Sequence, residues 1–516
     1  MIKILNKEQI RELDAVTISR QNITSTELME RAAEACSNHI CNIISENTKN
    51  LVVVCGKGNN GGDGLAIARL VYDRLGTRGL NLSVYIIDQS SERTSNDFQY
   101  NYEKLKSGKK IKVEHLNENN LEVFKKELFS IRNESLIVDA IYGTGLNRPV
   151  SGFTSELIKT INETLIPVIS IDVPSGLMHD EFQNPETSNI IYASITLSFQ
   201  QPKYTFLLPE TGKFCGEFIV LDIGLYNEFI KESKCENFYI ERTDISSLLK
   251  KRGKFSHKGT FGHALIIAGS LGKMGAAFLS SKACLKSGAG LLTIHVPSCG
   301  TNILQNSLPE AMVSQDSNYE YLTELPELGT YNAIGFGPGI GTKEESGKVL
   351  KQIFQNYQGK LVIDADGINL LSENKTLLGF LPPLSILTPH PKEFDRLTEK
   401  HNNSFERIET AKQLATKYHL IIIIKGAHTA IVTPTRNIYF NSTGNPGMAK
   451  GGSGDVLTGI LTGLLARGYG PLEASFIGVY LHGLAGDLAS EISGEESMLA
   501  SELIDHISEG FIQLEK

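Results

Sequence analysis

The segment GNPGMAKGGSGD occupies residues 444–455 and is followed directly by VLTGI at residues 456–460. Its glycines leave backbone N–H groups uncovered just before an apolar run, which predicts a loop that leads into an amphipathic helix. Such a helix start binds anions, because its unsatisfied N–H groups and the positive end of the helix dipole converge. Asp455 falls in the predicted first turn, where a carboxylate can accept a proton from a hydroxyl that attacks a bound phosphate. The segment therefore indicates phosphoryl transfer to an alcohol; an ordinary loop-to-helix junction is the alternative.

Other glycine-rich or polar loops of the second half each follow an apolar run with the character of a buried strand. They span residues 269–277, 335–341, 364–367, 388–393 and 425–429. Because the carboxyl ends of parallel strands meet at one edge of a sheet, these loops predict a single crevice.

Three loops of the first half have the same character, at residues 56–64, 138–149 and 170–177. Residues 56–61 match the dinucleotide fingerprint G-x-G-x-x-G, and Asp88 ends the next strand where a ribose-binding acid would fall. The amides and the carboxylate of residues 59–63 favour instead a polar ligand or a hard cation.

Both halves are predicted to be α/β, since continuous apolar strands alternate with helical patterns and imply parallel sheets covered on both faces. The predicted strands are residues 51–55, 82–87, 136–141, 167–172 and 194–199 in the first half, and 264–268, 291–296, 333–336, 361–363, 385–387 and 420–424 in the second. The charged segment 226–254 predicts a boundary between two domains, residues 1–228 and 240–516.

Composition excludes several classes of protein. The formal net charge of -8 leaves no electrostatic footprint for nucleic acid or an anionic membrane. The seven cysteines include no C-x-x-C pair, which favours the reducing cytoplasm over a disulfide framework or a zinc site. We expect neither a secretory signal nor a membrane span, because no apolar run is long enough.

The loops of the first half resemble the NAD(P)H-hydrate epimerase family at NNGGDG (59–64), at Asp139 with GTG (143–145) and at IDVPSG (171–176). Residues 13–33, predicted as one helix, resemble the opening of that family, so the resemblance covers about residues 1–225. It implies a Rossmann-like three-layer fold and a hydrated nicotinamide dinucleotide as substrate. Two sets of residues would hold that substrate: Asn59, Asn60, Gly61, Gly62 and Asp63, and Gly143, Thr144, Gly145, Leu146, Asn147, Arg148 and Pro149.

The same resemblance implies that potassium is bound by Asn60, Asp139 and Ser175, and that Asp172 faces the nicotinamide ring as the acid/base. The hydrate carries a hydroxyl on ring carbon C6, beside the ring nitrogen. That centre can invert by loss and return of the hydroxyl or by ring opening, and a carboxylate can move the proton in either route.

The loops of the second half resemble the NAD(P)H-hydrate dehydratase family, which has a ribokinase-like fold, over roughly residues 250–516. Lys392 departs from the family pattern, which often has glycine there. The implied hydrate site is Ala276, Gly337, Gly339, His390 and Asp455, and the implied adenine-nucleotide site is Lys425, Gly426, Ala427, His428, Thr429 and Gly454. Several residues keep a structural alternative: His390 as a helix cap, Lys425 as a strand-end lysine, and His482 as a satisfied core histidine.

The implied dehydration begins with phosphorylation of the C6 hydroxyl, which turns a poor leaving group into a good one. Asp455 would take the hydroxyl proton, and the N–H groups of residues 452–454 would stabilise the transferred phosphoryl group. Mg²⁺ would accompany the nucleotide without a dedicated ligand, although Asp364 and Asp366 could bind metal or merely form a turn. The donor is ADP or ATP, with ADP favoured by the family's fused bacterial versions.

The sequence thus favours a two-activity repair enzyme for hydrated NADH and NADPH, acting with an adenine nucleotide and expected to form a homo-oligomer. The main alternative is a ribokinase-like kinase of a small alcohol with a non-catalytic N-terminal nucleotide-binding module. Two weaker alternatives are a non-enzymatic N-terminal binding module and an NAD-dependent dehydrogenase supported only by the G-x-G-x-x-G match.

Overall fold

The computed structural model describes residues 1–76, 79–88, 94–107 and 111–516. Contacts divide the chain into an N-terminal unit, Lys3–Cys235, and a C-terminal unit, Glu236–Lys516 together with Met1 and Ile2. The sequence prediction had left residues 229–239 between its two domains.

In the described residues, the N-terminal unit is built on a sheet of seven parallel strands. After the short β1 (Ile2–Lys3), which belongs to the other sheet, these strands are β2 (Asn50–Cys55), β3 (Asn81–Ile87), β4 (Lys112–Leu116), β5 (Ser135–Ala140), β6 (Val168–Ile171), β7 (Ile195–Phe199) and β8 (Glu217–Leu221). The sequence prediction missed β4 and β8. Both are edge strands with mostly half-buried or exposed side chains, so neither carries a continuous apolar run.

Helices cover both faces of this sheet, as buried parallel strands require. They are α1 (Lys7–Gln21), α2 (Ser25–Ile43), α3 (Asn59–Leu75), α4 (Asn96–Ser107), α5 (Leu121–Ile131), α6 (Gly152–Thr164), α7 (Pro209–Gly212) and α8 (Asn227–Glu232).

Two predicted helix boundaries are wrong. The single helix expected over residues 13–33 is α1 and α2, because Asn22 ends α1 in the left-handed conformation (φ 54°) and Thr24 caps the backbone N–H of Glu27 in α2. The loop expected over residues 56–64 is shorter, because α3 begins at Asn59, so the glycines of the NNGGDG segment lie inside α3 rather than in a loop.

The strand order is β4-β3-β2-β5-β6-β7-β8. Counted from β2, this is the Rossmann order 3-2-1-4-5-6 with one strand added, which confirms the predicted N-terminal fold. The order reverses between β2 and β5. The loops that follow these two strands therefore open at the topological switch point, where α/β sheets bind their ligands.

The C-terminal unit contains a larger, mixed sheet in the order β1-β9-β18-β17-β16-β15-β14-β13-β10-β11-β12. Its own strands are β9 (Asn237–Tyr239), β10 (His263–Ile267), β11 (Leu291–Val296), β12 (Met312–Gln315), β13 (Ala333–Phe336), β14 (Lys360–Ile363), β15 (Ile386–Leu387), β16 (Ile421–Ile424), β17 (Ala430–Val432) and β18 (Ile438–Phe440). Strands β10–β16 pair in parallel, whereas β17 is antiparallel to both β16 and β18. The order reverses between β10 and β13, which is the switch point of this sheet.

The helices of the C-terminal unit are α9 (Arg242–Leu248), α10 (Met274–Lys286), α11 (Thr301–Ser307), α12 (Glu344–Asn356), α13 (Asp366–Glu373), α14 (Pro391–Leu397), α15 (Ser404–Tyr418), α16 (Ser453–Ala466), α17 (Pro471–Ser497) and α18 (Ala500–Glu515). The prediction that residues 456–460 start an amphipathic helix is wrong, because every residue of α16 from Val456 to Ala466 is buried. The helix packs against α10, α17 and the central strands, so it is a core helix with its N-terminus at the sheet edge. Over the described ranges, no helix is both long and apolar enough to cross a membrane.

Candidate active sites

The first site forms where β2 runs into α3. The helix starts within four residues of the strand's end, and a Cβ on Gly61 would collide with the carbonyl oxygen of Gly56. The glycine thus allows α3 to begin directly against the loop, and its open N-terminus faces the switch point. Asn60 and Asp63, in the first turns of α3, keep only 9% and 8% of their surface exposed.

Asp139 lies near the end of β5 and is fully buried. Its carboxylate accepts hydrogen bonds from the Ser175 N–H at 2.8 Å, from the Ser175 hydroxyl at 2.5 Å and from the Ser170 hydroxyl at 2.8 Å. Burial raises the pKa of Asp139, and these hydrogen bonds oppose that rise without cancelling it. The structure therefore brings Asp139 and Ser175 into direct contact.

Asp172 follows β6 immediately and has a left-handed backbone, with φ of 64°. Lys203 Nζ lies 3.0 Å from its Oδ1, and the Thr144 N–H donates to its Oδ2 at 3.2 Å. Burial alone would raise the pKa of Asp172, but the Lys203 charge and hydrogen bond, the Thr144 amide and the charge of His179 outweigh it. The pKa consequently lies below the usual range of an aspartate.

The predicted substrate loop at residues 143–149 approaches this cluster. A Cβ on Gly143 would lie 3.1 Å from Asp172 Oδ2 and 3.3 Å from Asn60 Oδ1, so the loop passes between these two side chains. The carbonyl oxygen of Leu146 and the side chain of Asn147 accept hydrogen bonds from Lys7 of α1. Arg148 and Pro149 are exposed.

Sequence reasoning missed two charged residues of this site. Lys203 follows β7 at the same sheet edge and has only 1% of its surface exposed. Asp14 of α1 lies in the field of the same cluster, where its burial and the charge of Asp172 raise its pKa to about 6. Lys203 could have been found from the sequence, because it is a lysine in the polar segment that follows the predicted strand at residues 194–199. Nothing in the local pattern marked Asp14, because α1 reaches the site only through folding.

Asp88, suggested as a ribose-binding acid, is exposed and forms an ion pair with Lys57 at 2.5 Å. The Asp88 side chain is thus paired with a residue of the loop between β2 and α3.

The second site forms at the N-terminus of α16. Gly452 caps this helix in the left-handed conformation, with φ of 96°, and Asp455 lies in the first turn as predicted. Burial and then the charge of Asp364 raise the pKa of Asp455 to about 6, while Lys425 opposes the rise. A carboxylate with this pKa is suited to general-base chemistry near neutral pH.

Three residues around Asp455 form one network. Asp364, at the end of β14, has 1% of its surface exposed and accepts hydrogen bonds from Lys425 Nζ at 2.6 Å and from the Thr458 hydroxyl at 2.7 Å. A Cβ on Gly454 would lie 3.1 Å from Lys425 Nζ, so the glycine leaves room for the ammonium group beside the helix N-terminus. Lys425 is therefore an ion-paired residue of the site rather than an unattached strand-end lysine.

The glycines after β13 approach the same edge. Gly337 and Gly339 have φ of 126° and 66°, values that favour glycine. A Cβ on Gly337 would collide with the Asp364 carbonyl oxygen, and one on Gly339 would lie 3.0 Å from the Ala276 Cβ. Asp366 accepts the Gly341 N–H at 2.8 Å, which fits its alternative role in a turn.

A cavity of about 740 Å³ opens beside α16. Its lining includes His390, Lys425, Gly426, Ala427, Thr429, Gly454 and His482 from the residues considered above. Ala276, Gly337, Gly339 and Asp455 are not among the lining residues, although Asp455 directly follows Gly454. His428 contacts the Asn441 carbonyl oxygen through Nδ1 at 3.1 Å and does not line the cavity.

The two histidines of the cavity wall have structural partners. His390 caps α14, with Nδ1 accepting from the backbone N–H groups of Lys392 and Glu393, and burial lowers its pKa. His482 Nε2 donates to the Ser453 carbonyl oxygen at 2.9 Å, and burial lowers its pKa to about 4. Both histidines are neutral at physiological pH. Across the described residues, no three His, Cys, Asp or Glu side chains are grouped to hold a metal ion.

Comparison with known proteins gives matches over both units. Residues 264–509 match a family described as NAD(P)H-hydrate dehydratase, and residues 25–205 match one described as YjeF-related protein N-terminus. The chain is 33% identical to the bifunctional NAD(P)H-hydrate repair enzyme Nnr of Moorella thermoacetica, over 98% of this chain and 96% of the relative. It is 33% identical to the Coxiella burnetii protein of the same name, over 98% of this chain and 99% of the relative.

A third relative and one solved structure are also similar to this chain. The repair enzyme of the same name from Escherichia coli is 31% identical, over 93% of this chain and 88% of the relative. The ADP/ATP-dependent NAD(P)H-hydrate dehydratase of Bacillus subtilis, co-crystallized with ATP/Mg²⁺, is 30% identical with a TM-score of 0.47. That alignment covers 54% of this chain and 98% of the solved one.

Proposed function

This chain belongs to the family of bifunctional NAD(P)H-hydrate repair enzymes, and we propose that Asp172 and Asp455 carry its two activities. The chain repairs hydrated NADH and NADPH with two activities. Its epimerase interconverts the R and S hydrates, and its nucleotide-dependent dehydratase converts the S hydrate to the reduced dinucleotide. A kinase of a small alcohol is not favoured, because the relatives matched over the whole chain are repair enzymes.

In the epimerase reaction, Asp172 acts as the acid/base at the C6 hydroxyl of the hydrate. Residues 59–63 and 143–149 hold the substrate, since both segments meet around Asp172 at the switch point. The N-terminus of α3 favours the negative charge of a dinucleotide. Ring opening needs a base that takes the proton of this hydroxyl, whereas loss of the hydroxyl needs an acid that protonates it. Asp172 is suited to the first role, because its pKa lies below the usual range of an aspartate.

Potassium would be held in this unit by Asn60, Asp139 and Ser175. The donors fit, since amide, hydroxyl and carboxylate oxygens suit a hard cation. The Asn60 amide nitrogen is buried and makes no hydrogen bond with the protein, so it can donate to an oxygen of the substrate, while the amide oxygen of the same side chain would be the cation ligand. When bound, the cation would supply positive charge at the end of β5.

In the dehydratase reaction, Asp455 accepts the proton of the C6 hydroxyl as that oxygen attacks the terminal phosphoryl group of the nucleotide. The O–P bond that forms makes a phosphate ester, as the bond to the next phosphate of the donor breaks and releases the shortened nucleotide. Elimination then breaks the C6–O bond, expels phosphate and removes a proton from C5, which forms the double bond of the dihydronicotinamide. The N–H groups of residues 452–454 and the Lys425 ammonium stabilise the transferred group. This assignment is supported chiefly by the half-buried carboxylate of Asp455, which has a raised pKa and lies beside Lys425 at a helix N-terminus.

The nucleotide binds at the cavity lined by Lys425, Gly426, Ala427, Thr429 and Gly454. We take ADP as the donor and Mg²⁺ as the ion that neutralises its phosphates. Asp364 already accepts hydrogen bonds from Lys425 and Thr458, so we assign Mg²⁺ to phosphate and water oxygens and to no protein carboxylate. We further propose that the chain forms a homo-oligomer and that it acts in the cytoplasm.

The test uses purified hydrate mixtures with ADP or ATP, following phosphate and the absorbance of reduced nicotinamide together. We expect Asp455→Ala to lower dehydration by roughly a hundredfold or more and to leave epimerisation unchanged, and Asp172→Ala to do the reverse. Asp505→Asn and Glu163→Gln, two exposed carboxylates paired with lysines, are the matched controls. Retained dehydration in Asp455→Ala, or release of a stable phosphate ester by the wild-type enzyme, would refute the assignment.

A further inference from the structure

A buried lysine lies under the epimerase site and has no role in the activity described above. Lys203 keeps 1% of its surface exposed, and its Nζ lies 3.0 Å from Asp172 Oδ1. The same ammonium donates to the carbonyl oxygens of Phe199 at 3.1 Å and Gln201 at 3.5 Å. Its three N–H donors thus have three acceptors, which is the condition under which a charged lysine can be buried.

The arrangement fixes both oxygens of Asp172. Oδ1 faces Lys203, and Oδ2 accepts the Thr144 N–H from the predicted substrate loop. The Asp172 backbone is held as well, because its N–H donates to the Leu197 carbonyl oxygen at 2.8 Å while its φ stays in the left-handed region. A left-handed aspartate is uncommon, and such conformations persist where the surroundings over-determine them.

The other charged groups around Asp172 come from three further elements. Asp63 lies on α3, Asp14 on α1, and His179 in the loop after β6. Burial and the charge of Asp172 raise the pKa of both Asp63 and Asp14, and burial lowers the pKa of His179. Lys203 is the group that pairs directly with Asp172, at 3.0 Å, so these two residues form the ion pair of the cluster.

We propose that Lys203 is a positioning residue for epimerisation, which keeps Asp172 ionised and aims its carboxylate at the substrate loop. The inference rests on the proposed role of Asp172 as acid/base. Lys203 does not touch the substrate, because its ammonium is enclosed by Asp172 and two carbonyl oxygens. When ionised Asp172 accepts the C6 hydroxyl proton, the bond between C6 and the ring nitrogen breaks, its electron pair passes to that nitrogen, and C6 becomes an aldehyde carbon. Closure on the opposite face re-forms the bond and returns the proton to the oxygen, so no proton is gained or lost overall.

The test replaces Lys203 with a side chain of similar length and no charge. In Lys203→Met, the acid limb of kcat/KM for epimerisation is expected to move to higher pH by roughly 1–3 units, the shift that an adjacent opposite charge produces. At a pH below the shifted limb, kcat of Lys203→Met is expected to be about tenfold or more below that of the wild type. KM at the same pH should differ from the wild-type value by less than about threefold. A merely structural lysine would lower the rate at all pH values without moving the limb.

Two further variants serve as controls. Lys203→Arg keeps the charge, so its acid limb stays at the wild-type pH even if the larger group lowers the rate. Lys125→Met removes a surface lysine that pairs with Glu163 and should leave the whole profile unchanged. Dehydration of the S hydrate by the same preparations reports the active enzyme concentration. An acid limb in Lys203→Met that coincides with that of the wild type overturns the inference.

A second measurement works even if Lys203→Met does not fold. Infrared difference spectra of the wild type minus Asp172→Asn, recorded against pH, show when the Asp172 carboxyl becomes protonated. We expect protonation only below the ordinary aspartate range of about 4. A protonated Asp172 near pH 6 in the wild type overturns the inference. If the wild type fails to interconvert the R and S hydrates, the proposed function fails instead, so the two failures are distinguishable.

Discussion

Two half-buried or buried aspartates of this chain have opposite electrostatic surroundings. Asp172 lies 3.0 Å from a buried lysine ammonium, and its pKa is held below the usual range. Asp455 has a carboxylate neighbour, Asp364, and the nearby Lys425 donates its hydrogen bond to Asp364 rather than to Asp455. The pKa of Asp455 is raised to about 6. Burial raises the pKa in both cases, so the sign of the shift is decided by which charge folding places nearest.

This contrast predicts different pH profiles for the two activities of one preparation. Since Asp455 must be ionised to act as a base, dehydration should fall as the pH drops through about 6. Epimerisation should persist to lower pH, because Asp172 stays ionised there. The measurement is kcat/KM against pH for both reactions.

A variant shows whether Asp455 is the titrating group. Asp364→Asn removes the largest charge that raises the pKa of Asp455, so the acid limb of dehydration should move to lower pH. His482 cannot cause the limb by charging near pH 6, since burial lowers its pKa to about 4. A dehydration rate that is constant down to about pH 5, or a limb unaffected by Asp364→Asn, would contradict the assignment.

At the scale of elements, the second site depends on how closely α16 approaches α10. A Cβ on Gly459 would collide with the Ser280 carbonyl oxygen and lie 2.9 Å from the Ala283 Cβ. These glycine contacts allow the two helices to pack backbone to backbone. The N-terminus of α16, with Asp455, is positioned at the sheet edge by this packing.

Gly459→Ala should therefore destabilise the C-terminal unit by about 1–3 kcal/mol, the usual cost of overpacking, even after the gain of about 1 kcal/mol from alanine's helix propensity. Gly347→Ala in α12 is the matched control, because its nearest neighbour would be the Leu370 side chain at 3.7 Å. The control should be neutral or slightly stabilising. Urea unfolding with dehydratase activity as the readout checks both variants, and equal stability of the two would show that the close approach is unimportant.

At the scale of the whole molecule, each candidate site is built within one unit. The residues around Asp172 lie in Lys3–Cys235, and those around Asp455 lie in Glu236–Lys516. The two reactions therefore share a substrate pool but no catalytic residue. Each variant should lose one activity and keep the other.

A mixing experiment follows from this separation. With a mixture of R and S hydrates, Asp172→Ala should stop once the S hydrate is consumed, and Asp455→Ala should form no reduced dinucleotide. The two variants together should convert the whole mixture at a rate set by their concentrations, because the S hydrate diffuses from one chain to the other. Incomplete conversion by the mixed variants, when the wild type reaches completion, would show that the activities depend on each other.

Local pattern predicted the central parallel strands and a ligand site at their carboxyl edge, since central strands of parallel sheets must be apolar along their whole length. It did not predict the short buried strand β17. The edge strands β4 and β8 were missed because their half-exposed residues lack that pattern. The start of α3 was misplaced for a related reason. Glycines inside a helix are read as a loop until the contacts that require them are known, here between Gly61 and the Gly56 carbonyl.

The sequence by itself determined the strand-loop-helix units, the positions of Asp139, Asp172 and Asp455 at their ends, and the family resemblance, because these depend on short spacings along the chain. Only the tertiary structure decided which charges meet. Lys203 reaches Asp172 from another strand, and Lys425 reaches Asp364 across the sheet. Electrostatic interaction depends on distance in space and on burial, and neither quantity is written in local sequence.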